Sequence, residues 1–245
     1  MLKKISLILA GSALVFAGLV ACDQVNEAND AAAREADALR RGEATLAACI
    51  ESQCETLDID GMRLADYAVI NGLTHVKVLM VSRTGLDDLA DIADMQQLTE
   101  LHITDTNIAD LTGLQNFPKL KVLHFERMSA GVDISPIAQL TGLTELALSE
   151  LTETHDVSFV KNMRRLEDLK ISWLSGDADL SILRRHPSLR NVDLDGSLPT
   201  DQSALLTMPK LESINFTYAY MLNIETREEL ERLGVFDYFE TIVVC

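Results

Sequence analysis

His102 and His124 stand 22 residues apart, each with a glutamate two residues away, Glu100 and Glu126. Imidazole and carboxylate are zinc donors, and imidazole also gains charge as the pH falls toward 6. Brought side by side, the two histidines would either share a metal ion or act as polar contacts whose charge tunes a binding equilibrium. The second use is the commoner, so no metal and no cofactor is assigned. Asp193 and Asp195 have the spacing of a hydrolytic acid pair, but such a pair needs an enclosed pocket to hold its two pKa values apart. The chain has no Gly-rich phosphate loop, no His-Glu-x-x-His and no Gly-x-Ser-x-Gly. No catalytic residue is assigned, and the sequence reads as a non-enzyme. His75, His155 and His186 fall in connecting segments and are expected to be exposed.

Four thiols, Cys22, Cys49, Cys54 and Cys245, call for separate accounts. Lys3 and Lys4 precede an apolar stretch, Ile5 to Val20, that closes with Leu19-Val20-Ala21-Cys22. This is the three-part layout of a secretory signal, short for a membrane span. Leu-Val-Ala-Cys resembles the lipobox of bacterial lipoproteins. The resemblance implies cleavage before Cys22, residues 1–21 being the signal peptide, and acylation of Cys22 as the lipid anchor, palmitate-type chains included. The next residue, Asp23, resembles the signal that keeps lipoproteins at the periplasmic face of the inner membrane. Cys49 and Cys54, five residues apart, are expected to form a disulfide in an oxidising compartment; Cys54 as a free buried thiol is the alternative.

Over the whole chain 21 basic residues face 38 acidic ones, a formal charge of −17 in 245 residues. Without Lys3 and Lys4 the mature part carries 19 against 38, or −19. Nucleic acid is therefore excluded as a partner, because phosphate binding needs clustered Lys and Arg. Anionic lipid would be repelled, which leaves the acyl chains to hold the protein at the bilayer. Residues 22–42 are polar and read as a tether or loose helix broken at Gly42. Residues 43–53 follow as an N-terminal cap, with Leu46, Ala47 and Ile50 at helical spacing over the core.

The rest of the chain repeats. Leu98-Thr-Glu-Leu101-His-Ile103 recurs as Leu120-Lys-Val-Leu123-His-Phe125, Leu143-Thr-Glu-Leu146-Ala-Leu148, Leu166-Glu-Asp-Leu169-Lys-Ile171 and Leu189-Arg-Asn-Val192-Asp-Leu194. First positions at 54, 76, 98, 120, 143, 166, 189 and 211 give eight units with steps of 22 or 23. Each unit resembles the leucine-rich repeat, Leu-x-x-Leu-x-Leu, and Asp133-Ile-Ser-Pro-Ile-Ala-Gln-Leu-Thr-Gly-Leu143 resembles the bacterial internalin form. The resemblance covers about three quarters of the chain. In each unit the last two apolar residues face one way on a strand, and three more at spacing three, such as Leu111, Leu114 and Phe117, suit a tight helical turn. One unit cannot bury its face alone, so the expected fold is α/β: a solenoid over 54–232, parallel sheet on the concave face and short helical turns on the convex face. Residues 233–245 would close it.

A second ladder runs through the return segments: Asp66, Asp88, Asp110, Asp133, Asp156, Asp179, Asp201 and Asn223, each expected to cap a helical turn for about 1 kcal/mol. The Asn ladder usual in leucine-rich repeats is absent. Its positions hold Met62, Thr84, Thr106, Met128, Leu151, Leu174, Ser197 and Ala219, of which only Thr and Ser can bond the backbone. Thr226-Arg-Glu-Glu229 has the capping-box pattern for a final helix, ended by Gly234.

Strand residues beside the buried ones must point to the concave face. The middle row there is Asp58, Met80, His102, His124, Ala147, Lys170, Asp193 and Asn215. His102, His124, Glu126, Arg127, Lys170, Trp173 and Tyr218 are the expected binding residues, Trp, Tyr and Arg being the types that dominate binding energy at interfaces. The reading is a lipid-anchored envelope protein whose solenoid binds a protein partner. Its rivals are a structural envelope lipoprotein without a specific partner and a surface-exposed adhesin of internalin type.

Overall fold

The protein is seen in a computed structural model that describes residues 5–127, 131–149, 157–172, 179–196, 201–216 and 222–236, with side chains from residue 28 onward. Eight strands form one sheet in chain order, every neighbouring pair parallel. They are β1 (Thr56–Asp58), β2 (Val78–Met80), β3 (Glu100–His102), β4 (Val122–Phe125), β5 (Glu145–Ser149), β6 (Asp168–Ser172), β7 (Asn191–Asp193) and β8 (Ser213–Asn215). Pairings such as Leu57 with Leu79, Leu101 with Leu123 and Leu146 with Leu169 reproduce the sequence period strand by strand.

Each strand turns two apolar side chains into the core, for example Leu101 and Ile103, or Leu123 and Phe125, all at most 1% exposed. Between strands the chain returns through 3-10 turns, Tyr67–Ile70 in the first unit and Thr112–Asn116 in the third. Leu111, Leu114 and Phe117 close the core from that side, so one apolar layer lies between sheet and turns. Five of the ladder aspartates do the same local job. Asp66, Asp88, Asp110, Asp133 and Asp179 each accept a hydrogen bond from the backbone N–H two residues on, at 2.8–2.9 Å. Asp201 accepts from Ser203 Oγ and Arg184 Nη2. Asp156 lies outside the described residues. Thr84 and Thr106 bond the carbonyls of Val81 and Ile103, filling in part the role of the missing Asn.

Strand ends reverse through a left-handed residue. Gly61, Arg83, Asp105, Arg127 and Gly196 hold one repeat position and have φ between 52° and 67°. Amides of Gly61, Arg83 and Asp105 still donate to the next unit's carbonyl, so the ladder continues through the turn. A Cβ at Gly61 would meet nothing within 4 Å, which leaves backbone conformation as its sole cost. Gly61→Ala is therefore expected to lower unfolding free energy by about 1 kcal/mol in a urea titration.

Helix α1 runs unbroken over Ile5–Ser52, so Gly42 does not break it. Gly42 is buried because the helix backbone crosses the first unit there: a Cβ would stand 2.0 Å from the Arg63 carbonyl oxygen. Arg63 also donates its amide to the Ala38 carbonyl and pairs with Glu35 at 3.1 Å, so the helix is docked well before residue 43. Its buried side is Gly42, Leu46 and Cys49, while Ala47 and Ile50 face solvent, a rotation from the expected phase. Cys49 and Cys54 are joined as a disulfide, Cα atoms 4.9 Å apart. At the other end α2 spans Ile224–Leu233. Its cap is Asn223, whose side chain accepts from the Thr226 amide, so the helix opens before the expected Thr226. Gly234, at φ 69°, ends it, and Phe236 bridges to Ile214.

His186 is buried, not exposed as a loop histidine would be. Its Nδ1 accepts from the Leu189 amide at 3.3 Å. Burial pushes its pKa below the usual 6.5 and nearby Arg164 adds to that, against an opposite pull from the Val160 and Met163 backbone. A depressed histidine is neutral when folded, so its contribution is whole above the unfolded pKa near 6.5 and is lost as the pH falls below it. Melting temperature should drop between pH 7 and pH 5, and drop less in His186→Gln. His155 lies outside the described residues.

Candidate functional site

The concave face is built by period two: with Leu101 and Leu123 turned inward, His102 and His124 must turn outward on adjacent strands in register. Their rings lie 4.1 Å apart between centroids, tilted by 53°. Each Nε2 has its own carboxylate: His102 meets Glu100 of its own strand at 2.7 Å, and His124 meets Glu145 of the next strand at 2.6 Å. The two imidazoles touch, and each Nε2 is taken by a separate carboxylate. Glu126 is engaged elsewhere, accepting from Lys170 Nζ at 2.8 Å across two units.

Ala147 lies on the strand between Glu126 and Lys170. Its small side chain leaves a hollow of about 320 Å³ over β4 to β8. Glu126, Glu145, Asp168 and Asp193 line it with His124 and Lys170. Asp168 accepts from Asn191 Nδ2, and Asn191 in turn accepts from Ser213 Oγ at 2.7 Å, which fixes the far wall. Asp193 Oδ1 accepts from the Asp195 amide at 3.0 Å and shapes the turn. Asp58 and Asp60 repeat that arrangement at the first strand. Among the described residues of the concave row and the strand positions two residues to either side of it, eight carboxylates (Asp58, Asp60, Glu100, Glu126, Glu145, Asp168, Asp193 and Asp195) stand with one lysine, Lys170.

Arg127 stands at the left-handed turn, half exposed and 3.9 Å from Asp105. Trp173 and Tyr218 lie outside the described residues, as does Cys245, and Cys22 lies in α1 with its side chain outside them. Glu145, Asp168 and Asn191 are the hollow residues that sequence reasoning did not single out. Their signal was Ala147, the one alanine in a row of larger side chains.

The structure is similar to internalin F of Listeria monocytogenes, with a TM-score of 0.55 and 25% identity over 74% of this chain and 52% of that one. It is also similar to internalin C2 of the same organism, with a TM-score of 0.51 and 23% identity over 66% of this chain and 80% of that one. The fold is a leucine-rich-repeat solenoid. In sequence it is 31% identical over 121 residues to human leucine-rich repeat-containing protein 56, covering 44% of this chain and 22% of that protein. It is 29% identical over 141 residues to a probable disease resistance protein of Arabidopsis thaliana, covering 56% of this chain and 18% of that one. The chain therefore spans about a fifth of either curated relative. No protein-family profile matches it. Among the described residues no helix is long and apolar enough to cross a membrane.

Proposed function

We propose that this protein is a lipid-anchored module of a bacterial cell envelope whose leucine-rich-repeat solenoid binds a protein partner bearing basic side chains. The observation that carries the reading is the acidic hollow on a rigid parallel sheet, Glu126, Glu145, Asp168 and Asp193 around the Ala147 floor. Strands locked in register present these groups already ordered, which lowers the ordering cost of association. Complementary charge steers the partner and fixes its register. The face is open and crosses five strands, which suits a protein segment better than a small molecule. The reading has no catalytic step.

The anchoring half rests on Leu19-Val20-Ala21-Cys22 and Asp23, which resemble a lipobox with an inner-membrane retention residue. Cleavage before Cys22 would leave the lipid at the start of a helical arm. About 13 residues separate Cys22 from Glu35, where the helix docks, and at 1.5 Å per residue they hold the solenoid roughly 20 Å from the bilayer. Mass spectrometry of the mature N-terminus tests this: a diacylglyceryl Cys22 is expected, with Cys22→Ala leaving the membrane fraction. Protease shaving of intact cells distinguishes placement, since the periplasmic face of the inner membrane should be protected and an outer-leaflet adhesin digested.

A further inference from the structure

Cys49, Cys54 and His75 meet where α1 reaches the first strand. Cys49 is buried in the last turn of α1, and the chain reverses at the left-handed Gln53 to bring Cys54 back beside it. Thr56 pairs with Val78, so Cys54 lies alongside Val76 of the next unit, and His75 is the neighbour of Val76. The two sulfurs and an imidazole nitrogen all lie within 4.8 Å of one another. His75 Nε2 is buried and has no hydrogen-bond partner among the described residues. In the disulfide form nothing compensates that nitrogen, and a buried unmatched polar atom is costly.

We propose that the reduced form of this cluster is a metal site, in which the Cys49 and Cys54 thiolates and the His75 imidazole bind zinc. Zinc takes sulfur at about 2.3 Å and nitrogen at about 2.0 Å in tetrahedral geometry, which puts donors roughly 3.5–3.8 Å apart. Side-chain rotation from Cα atoms 4.9 Å apart reaches that separation. A dithiol protein would open the site. One of its thiolates attacks a cysteine sulfur and the S–S bond breaks; its second thiol resolves the mixed disulfide and the donor leaves oxidised. Cys49 and Cys54 then carry two thiols, whose protons the zinc displaces. Metal would replace the disulfide as the link between α1 and the sheet, so the end of the solenoid stays fastened in either redox state. The site is remote from the β4 to β8 hollow and stands whether or not that hollow binds a protein.

Cobalt(II) is the probe, added to the purified full chain with and without a phosphine reductant. Reduced protein should bind one equivalent, giving a thiolate-to-cobalt charge-transfer band and tetrahedral d–d bands that zinc bleaches; oxidised protein should give neither. Cys49→Ser should abolish the band, and the double replacement Cys22→Ser with Cys245→Ser should keep it. His75→Ala, with His75→Gln beside it so that a folding defect in one does not decide, should weaken cobalt binding at least about tenfold while the disulfide still forms. A reduced wild type without the band, a band lost with Cys22 and Cys245, or full affinity in the folded His75 variant would overturn the proposal.

Discussion

Phe117→Ala is expected to lower the unfolding free energy by about 3–5 kcal/mol, a large share of the roughly 5–15 kcal/mol a native domain holds. Phe117 is fully buried at the end of the third return segment, where it closes the apolar layer with Leu111 and Leu114. Truncation removes its transfer free energy and leaves a cavity that the flanking strands, held in register, cannot close. Each unit of a solenoid contacts only its neighbours, so the damage should stay local and uncouple the two sides. Urea unfolding followed by circular dichroism should move to lower denaturant and split into two transitions. A loss under about 1 kcal/mol with one sharp transition would contradict a continuous core.

The second large effect is on binding. Replacing Glu126, Glu145 and Asp168 together by Lys turns three negative charges of the hollow positive beside Lys170. Like charges facing each other across an interface cost several kcal/mol, so partner affinity should fall at least about 100-fold. Glu126 is only 19% exposed in its pair with Lys170, so some stability is lost beyond the roughly 0–1 kcal/mol of an exposed ion pair, and circular dichroism is read beside affinity to confirm that the variant is folded. Wild-type affinity should also weaken as salt rises, and the residual binding of the variant should not. Retained affinity in a folded triple variant would remove the hollow from the contact.

The repeat architecture was legible because each unit carries its own strand in the Leu-x-x-Leu-x-Leu spacing, and the 22 or 23 residue steps set the observed register. The Asp ladder was legible for a similar reason, since capping is a contact made two residues away. Long-range contacts were not. Glycine lowers helix propensity, so Gly42 reads as a break, yet its contact with the Arg63 carbonyl makes the missing Cβ a condition for docking. That contact also sets the rotation of α1, burying Cys49 and exposing Ile50. Asn223, the last member of the cap ladder, does cap α2 as expected, and the Thr226 capping box does not open it. On the concave face every row residue was readable, but pairing was not: Glu126 reaches Lys170 over Ala147, and His124 takes Glu145 from the next strand. Arg83, Asp105 and Arg127 hide the left-handed turn that Gly61 and Gly196 announce.

Site-specific photocrosslinking in intact cells tests the central claim most directly. A photoreactive side chain at position 215, exposed at the β8 edge of the hollow, is compared with one at position 112, on the convex return segment of the third unit. One discrete protein adduct is expected from position 215, absent from position 112, lost in the Glu126, Glu145 and Asp168 to Lys variant, and carrying a basic segment at the crosslinked peptide. No adduct at 215, or an equal adduct at 112 that survives the charge reversal, would contradict the proposed function.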